Sequence, residues 1–375
     1  MRRVIKAISV HPSKREVRLI DHEEPRITTP TGVKLRMLDV GICGTDREIC
    51  GFEYGTPPRG SEYLVIGHES LGEVVEVGRG VTRVRVGDIV VPTVRRVCPH
   101  DHCVACRAGR QDFCFTGDFK ERGIKEAHGF MTEIVVDDEA FMNVVPRYLR
   151  DVAVLAEPLT IAEKALMQVF EVQQRLPWAC PTTKGAADNQ CHRAVVLGAG
   201  PVGLLGALAL ANAGFETFVY SRMGSGGPDK MKLVESFGGR YVAAETTPIS
   251  QLAETVGSID LVYEAVGASQ TAFEMLKVLG VNGIFVFTGV PGRRGPVEVD
   301  TDALMKNLVL KNQLVFGTVN AGRDAYEAAI RDLGTFMERW PDAVRGLITG
   351  RYPMEAHADL LLGRPSGIKN VLAIA

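Results

Sequence analysis

Residues 193–214 read RAVVLGAGPVGLLGALALANAG, and this stretch decides the architecture. Gly198, Gly200 and Gly203 form a G-x-G-x-x-G string that follows four apolar residues, 194–197, and opens an apolar run with helical patterning. A strand running into a helix is the context that gives such a string meaning. Gly198 permits a tight turn, Gly200 lets the backbone approach a diphosphate, and Gly203 lets the helix lie close to the strand. Pro201 and Val202 begin the helix, whose free N–H groups would receive phosphate oxygens. From 194 to 215 no residue is charged, and the run has the length of a membrane span. Gly198, Gly200, Pro201, Gly203, Gly206 and Gly214 interrupt it, so it reads instead as a buried strand and a buried helix.

Beyond this stretch the pattern alternates. Short apolar strands at 217–220, 241–243, 260–264 and 284–288 are separated by helical patterns such as 202–213 and 229–237. The alternation predicts the α/β class with a doubly wound parallel sheet. The first 150 residues differ: 32–40, 71–77, 89–91 and 131–136 are short, rich in Val and Ile, and bounded by Gly, Pro or Asp, as strands are. A helical pattern then covers 151–176, and a polar loop covers 177–192. An NAD site would carry Asp or Glu about 20 residues past the glycines, to grip the ribose 2′-hydroxyl. Here the second strand ends in Tyr220, Ser221 and Arg222. A hydroxyl and a guanidinium suit a 2′-phosphate, so NADP is the expected cofactor, with NAD also possible.

Composition bounds the partners. The chain has 375 residues, 43 Lys and Arg against 45 Asp and Glu, and a formal net charge of −2. Such balance argues against a nucleic-acid partner or a polybasic membrane contact. Forty residues are glycine, well above the roughly 7% of average usage. The N-terminal MRRVIKAISVHP lacks an apolar leader core, so a cytoplasmic location is expected. Clustered cysteines in that setting favour a metal over disulfides.

Two groups carry metal-ligand chemistry. GICGTD holds Cys43, and GHE holds His68 and Glu69. Zinc accepts thiolate, imidazole and carboxylate, and a catalytic site keeps one position open. Glu157, in AEPLT, is a further candidate ligand. The second group is VCPHDHCVACRAGRQDFC, where Cys103, Cys106 and Cys114 are joined by Cys98 or His100 as fourth ligand of a structural zinc. Cys50, Cys180 and Cys191 have no partner at ligand spacing and read as ordinary buried or loop cysteines.

With these residues in view, the chain resembles the zinc-dependent medium-chain dehydrogenase/reductase family. GICGTD, VIGHE, the cysteine lobe and GAGPVG occur in the family's order over nearly the whole chain. GRQDFC, ERGIKEAHGFMTE, LAEPLTIAEKAL and FGTVNAGRDAYE make it most similar to the glucose (aldose) 1-dehydrogenases. The resemblance implies a GroES-like β-barrel catalytic domain, 1–190, completed by 311–375, and a Rossmann domain, 191–310. It implies a catalytic zinc on Cys43 and His68, with Glu69 and Glu157 as exchanging or outer ligands. Asp46 matches the carboxylate that orients the histidine, and Thr45 the hydroxyl that contacts the reacting alcohol. Glu121 and Asn320 match sugar contacts, with Glu157 beside them. Asn320 and Val290 match positions near the cofactor, and Ser221 and Arg222 positions at its 2′-phosphate.

The family spaces the first two lobe cysteines by two residues, whereas four separate Cys98 from Cys103. His100 sits at the usual spacing, but the preceding VRR favours Cys98. Ile161 replaces a polar residue that some relatives carry in the sugar pocket. The implied reaction is zinc-dependent oxidation of an aldose, D-glucose foremost, at C1 to the aldonolactone, with hydride transfer to NADP⁺. The alternatives are a sorbitol- or threonine-type zinc dehydrogenase and a non-enzymatic NADPH-binding protein with structural zinc only. A homodimer or homotetramer is expected by the same resemblance.

Overall fold

In the computed structural model of the chain, which describes residues 3–178, 180, 191–224, 226–292, 295–363 and 365–375, the Val- and Ile-rich segments of the first part pair into a seven-stranded sheet. Met142–Val145, Ile89–Pro92, Glu69–Val77, Gly32–Gly41, Lys369–Ala373 and Ile348–Pro353 lie side by side in that order, and Ile134–Asp138 also pairs with Gly32–Gly41. Alternate residues of these strands face inward, so Val33, Leu35, Met37, Val74 and Val90 form one core with Ile66, Phe130 and Met131. Arg96 and Arg122 converge on Asp137 at the edge of this core, where Arg122 Nε donates to Asp137 Oδ2 at 2.8 Å. Arg122 also ties down the carbonyls of His128 and Val136, at 2.7 and 2.9 Å.

The 194–215 run is a strand, Arg193–Leu197, and a helix, Pro201–Asn212. Leu204, Leu205, Ala207, Leu208, Ala209 and Leu210 are all buried, which is why the helix tolerates no charge. The strand is central in a six-stranded parallel sheet ordered Arg240–Ala243, Glu216–Ser221, Arg193–Leu197, Leu261–Glu264, Ile284–Phe287 and Leu314–Gly317. The chain leaves the first strand on one side to build two neighbours, then returns to build three on the other. This is the doubly wound order, and it places the glycine turn at the point where the order reverses.

Two compact units result. One is Met1–Thr160, Asn320–Gly334 and Ile348–Ala375; the other is Ile161–Val319 and Thr335–Leu347. The expected boundaries, 190 and 310, move accordingly. Leu314–Gly317 pairs with Ile284–Phe287 as the sixth parallel strand, so the parallel sheet extends past 310. The helix Ala156–Gln173 is divided after Thr160, and 335–347 belongs with the parallel sheet rather than the barrel. A second correction concerns Cys180 and Cys191, which form a disulfide with Cα atoms 5.4 Å apart rather than standing as separate loop cysteines. Residues 181–190 between them lie outside the described residues. Among the described residues no helix is long and apolar enough to cross a membrane.

Candidate active site

The strand Gly32–Gly41 delivers the chain to Cys43, and the short helix Gly44–Cys50 begins immediately after it. Asp46, fully buried in the first turn, accepts the backbone N–H of Cys43 at 2.9 Å through Oδ2. Its other oxygen lies 3.3 Å from Nδ1 of His68. With Nδ1 facing the carboxylate, Nε2 is the ring nitrogen left to act as a candidate ligand. Burial pushes the His68 pKa down, but Asp46 and the Cys43 sulfur outweigh it and hold it well above the ordinary value. Thr45, half-buried, follows in the same turn.

Glu69 opens the strand Glu69–Val77 directly opposite Gly41. A Cβ at Gly41 would stand 2.2 Å from Glu69 Oε2, so only glycine lets the carboxylate lie there. Ligand atoms of Cys43, His68 and Glu69 all approach one another within 4.8 Å. Glu69 is not left to repel the thiol unbalanced: Lys369 Nζ donates to both its oxygens, at 2.8 and 2.6 Å, and to the Ile42 carbonyl at 3.2 Å. Sequence reading missed Lys369, a buried lysine at the head of an apolar strand, which is the one local sign that it has a partner. Glu157 stands outside the three mutually close ligand atoms, yet it senses them. Burial raises its carboxyl to about 7, with His68 pulling it down and Glu69 pushing it up. The donor set of thiolate, oriented imidazole and carboxylate fits a zinc ion.

Glu121 and Asn320, distant in sequence, meet in the barrel unit. Glu121 Oε1 receives Arg95 Nε at 3.0 Å, Arg95 NH2 at 2.9 Å and Asn320 Nδ2 at 2.8 Å. Oε2 has no hydrogen-bond partner among the described residues, so a fixed carboxylate presents one free acceptor. Arg95, unforeseen in the sequence, lies over Phe119, its guanidinium carbon 3.6 Å from the ring centre. Gly123, two residues past Glu121, packs on Gly67, the neighbour of His68: a Cβ on Gly123 would lie 2.4 Å from the Gly67 carbonyl, which places the carboxylate and the candidate metal ligands in one neighbourhood.

In the cysteine lobe the sulfurs of Cys98, Cys103, Cys106 and Cys114 come within 4.8 Å of one another. His100 turns away and pairs with Asp118, Nε2 to Oδ2 2.8 Å. The four-residue gap is thus absorbed by the His100–His102 turn, and Cys98 joins the cluster. Burial raises the Cys114 thiol, but hydrogen bonding from Thr116 and Cys106 brings it down to about 6. Four convergent sulfurs with no open position fit a structural zinc.

The glycine turn has the shape its spacing predicts. Gly198 has φ +107°, and a Cβ on Gly203 would lie 2.1 Å from the Gly198 carbonyl. A Cβ on Gly200 would meet nothing within 4 Å, so the helix start opens onto free space where a diphosphate fits. Val290 is exposed, Ser221 ends the second strand, and Arg222 follows it. Buried Glu264, also unforeseen, accepts the N–H groups of Val266, Gly267 and Gly289 at 2.8, 2.7 and 3.1 Å, and so fixes two loops at the same end of the sheet.

The family description "Alcohol dehydrogenase GroES-like domain" matches residues 29–147, and "Glucose dehydrogenase C-terminus" matches 150–374. Glucose 1-dehydrogenase of Methanocella arvoryzae is 39% identical over 371 residues, covering 99% of both chains. The chain belongs to the medium-chain dehydrogenases, in their glucose dehydrogenase branch. Glucose 1-dehydrogenase of Thermoproteus tenax is 38% identical over 372 residues, again covering 99% of both chains. The solved structure of Haloferax mediterranei glucose dehydrogenase in complex with NADP, Zn and gluconolactone superposes with a TM-score of 0.86 at 29% identity, covering 99% of each chain. Membership in this branch makes the chain an oxidoreductase of the zinc alcohol dehydrogenase type.

Proposed function

We propose that the chain oxidises an aldose, D-glucose foremost, at C1 to the aldonolactone and passes the hydride to NADP⁺. The observation that carries this reading is Glu121, held by three N–H donors on one oxygen and free on the other, in a loop that packs beside His68 and its neighbour Cys43. A fixed carboxylate acceptor suits a polyhydroxylated substrate and has no use in a small-alcohol site. The complex of the Haloferax mediterranei relative with NADP, Zn and gluconolactone supports the same product and cofactor.

Cys43 and His68 would hold the catalytic zinc, with Glu69 and Glu157 completing its surroundings; Cys98, Cys103, Cys106 and Cys114 would hold the structural one. When bound, the catalytic ion supplies Lewis-acid polarisation of the reacting hydroxyl. The chain's own groups do the rest. Asp46 keeps the His68 ring in place, and Thr45 takes the hydroxyl proton toward solvent. Glu121 Oε2 and Asn320 orient the sugar. Backbone N–H groups at Gly200–Gly203 bind the diphosphate, and Ser221 and Arg222 the 2′-phosphate, so that C4 of the nicotinamide can accept the hydride.

Initial rates with glucose, galactose, xylose and sorbitol, against NADP⁺ and NAD⁺ and with and without a chelator, test the reading. Aldoses are expected to be oxidised fastest, and chelation to abolish turnover. Faster oxidation of sorbitol would favour the polyol alternative. Glu121→Gln is expected to raise the aldose KM about tenfold or more while leaving the KM for NADP⁺ unchanged, because it removes a charged acceptor from the sugar alone.

We also propose a homo-oligomer. Leu314–Gly317 is an edge strand of the parallel sheet, and the helix Thr301–Leu310 exposes Met305, Val309 and Leu310. An open edge flanked by apolar side chains is a surface that native proteins cover. Light scattering on Leu310→Glu is expected to show a smaller particle than wild type; an unchanged mass would count against this face.

A further inference from the structure

The turn after the second parallel strand lies against a charge that the NADP reading does not use. Ser221 pairs with Ala243 of the neighbouring strand Arg240–Ala243, and the ladder continues one step further, Ala244 N–H to the Ser221 carbonyl at 3.0 Å. Next comes the peptide joining Arg222 to Met223, and it is held at both ends. Tyr241 donates its hydroxyl to the Arg222 carbonyl at 2.9 Å. The Met223 N–H donates to both oxygens of Glu245, each at 3.0 Å. The neighbouring strand therefore fixes the backbone that carries Arg222 and in doing so brings a carboxylate to the same peptide. Both Arg222 and Glu245 are exposed, so each is available to a ligand at this turn.

We propose that Glu245 is a specificity-determining residue that weakens the preference for NADP⁺ over NAD⁺ by opposing a 2′-phosphate bound at Ser221 and Arg222. The inference rests on the cofactor reading above. A 2′-phosphate carries a charge between about −1.5 and −2 at neutral pH and is repelled, even in solvent, by a carboxylate held on the peptide next to Arg222. A ribose 2′-hydroxyl is neutral and can donate a hydrogen bond to the same carboxylate, the service that NAD-binding sheets obtain from an acid on the second strand itself. Here the acid comes just after the third strand, while a guanidinium comes just after the second. The site thus carries one group for each cofactor.

The test measures equilibrium binding of two probes that differ only in the 2′-phosphate, adenosine 2′,5′-bisphosphate and adenosine 5′-monophosphate, by calorimetry on the full chain. Glu245→Gln keeps an oxygen acceptor for the Met223 N–H and removes the charge. It is expected to bind the bisphosphate about five- to tenfold more tightly, with the gain shrinking as salt is raised, and the monophosphate no more tightly than wild type does. Arg222→Ala is expected to weaken the bisphosphate alone. An unchanged bisphosphate affinity in Glu245→Gln, or a parallel change for both probes, would overturn the inference while the Arg222→Ala result leaves the cofactor reading standing. No effect of Arg222→Ala on the bisphosphate would overturn the cofactor reading of this turn and the inference with it.

Discussion

Cys43→Ala protein is expected to bind NADP⁺ with wild-type affinity and to oxidise glucose about a thousandfold more slowly or worse. Lewis-acid stabilisation of the developing charge is a matter of several kcal/mol, and each 1.4 kcal/mol is about tenfold in rate. Cys43 and His68 are side chains of the barrel unit, whereas the glycine turn at Gly198–Gly203, proposed to bind the diphosphate, belongs to the parallel-sheet unit, so the two functions separate by mutation. Cofactor titration by fluorescence, with metal counted per chain, checks both halves of this expectation. Asp46→Asn provides the graded control. It leaves all candidate ligands in place but loosens the His68 ring, for which a loss of about 10–100-fold is typical. Full turnover by metal-free Cys43→Ala protein would sink the proposed chemistry.

The second large effect concerns stability. Asp137 is the shared counter-ion of Arg96 and Arg122, its side chain only 11% exposed. Asp137→Ala would leave two guanidinium groups packed on Phe141 and Phe130 without their anion. Breaking a buried pair in this way costs about 3–5 kcal/mol. The midpoint of urea unfolding should fall accordingly at neutral pH. Burial raises the Asp137 pKa, but the two arginines outweigh it and bring it from 3.8 down to about 2. A carboxyl with a depressed pKa stabilises the fold above its unfolded value and loses that contribution as the pH drops through its folded value. This shift corresponds to roughly 2 kcal/mol. The gap between wild type and Asp137→Asn should therefore narrow as the pH falls from 4 toward 2. A gap constant across that range would show that charge is not what Asp137 contributes.

Much of the architecture was legible because its signals are local. The glycine turn, its strand and its helix occupy a single short stretch, and Cys43 with Asp46, and His68 with Glu69, are each near neighbours in the chain. Distance in the chain marks what was not legible. Lys369 meets Glu69 across 300 positions, and Asn320 meets Glu121 across 199, so no periodicity could pair them. Asn320 was placed only through the family resemblance. Arg95 and Glu264 look like ordinary charges on short strands until the fold buries them. The Cys180–Cys191 bond had no signal either, because a spacing of 11 through a polar loop matches no ligand motif. Domain boundaries slipped for a related reason: Leu314–Gly317 follows a long excursion, and only pairing identifies it as the sixth strand.

The strand Gly32–Gly41 is lined on one flank by Glu69–Val77, but its last residues, Asp39–Gly41, wait on the other flank for Val371–Ala373. During synthesis these partners leave the ribosome more than 300 residues apart, after the whole parallel sheet has been made. The barrel unit can therefore be completed only once Lys369–Ala373 has been made, by which point the other unit already holds all six of its strands. Lys369 arrives with that closing strand and fixes both Glu69 and the Ile42 carbonyl beside Cys43. The loop that offers the first thiolate of the candidate metal site is thus made long before the strand that sets it.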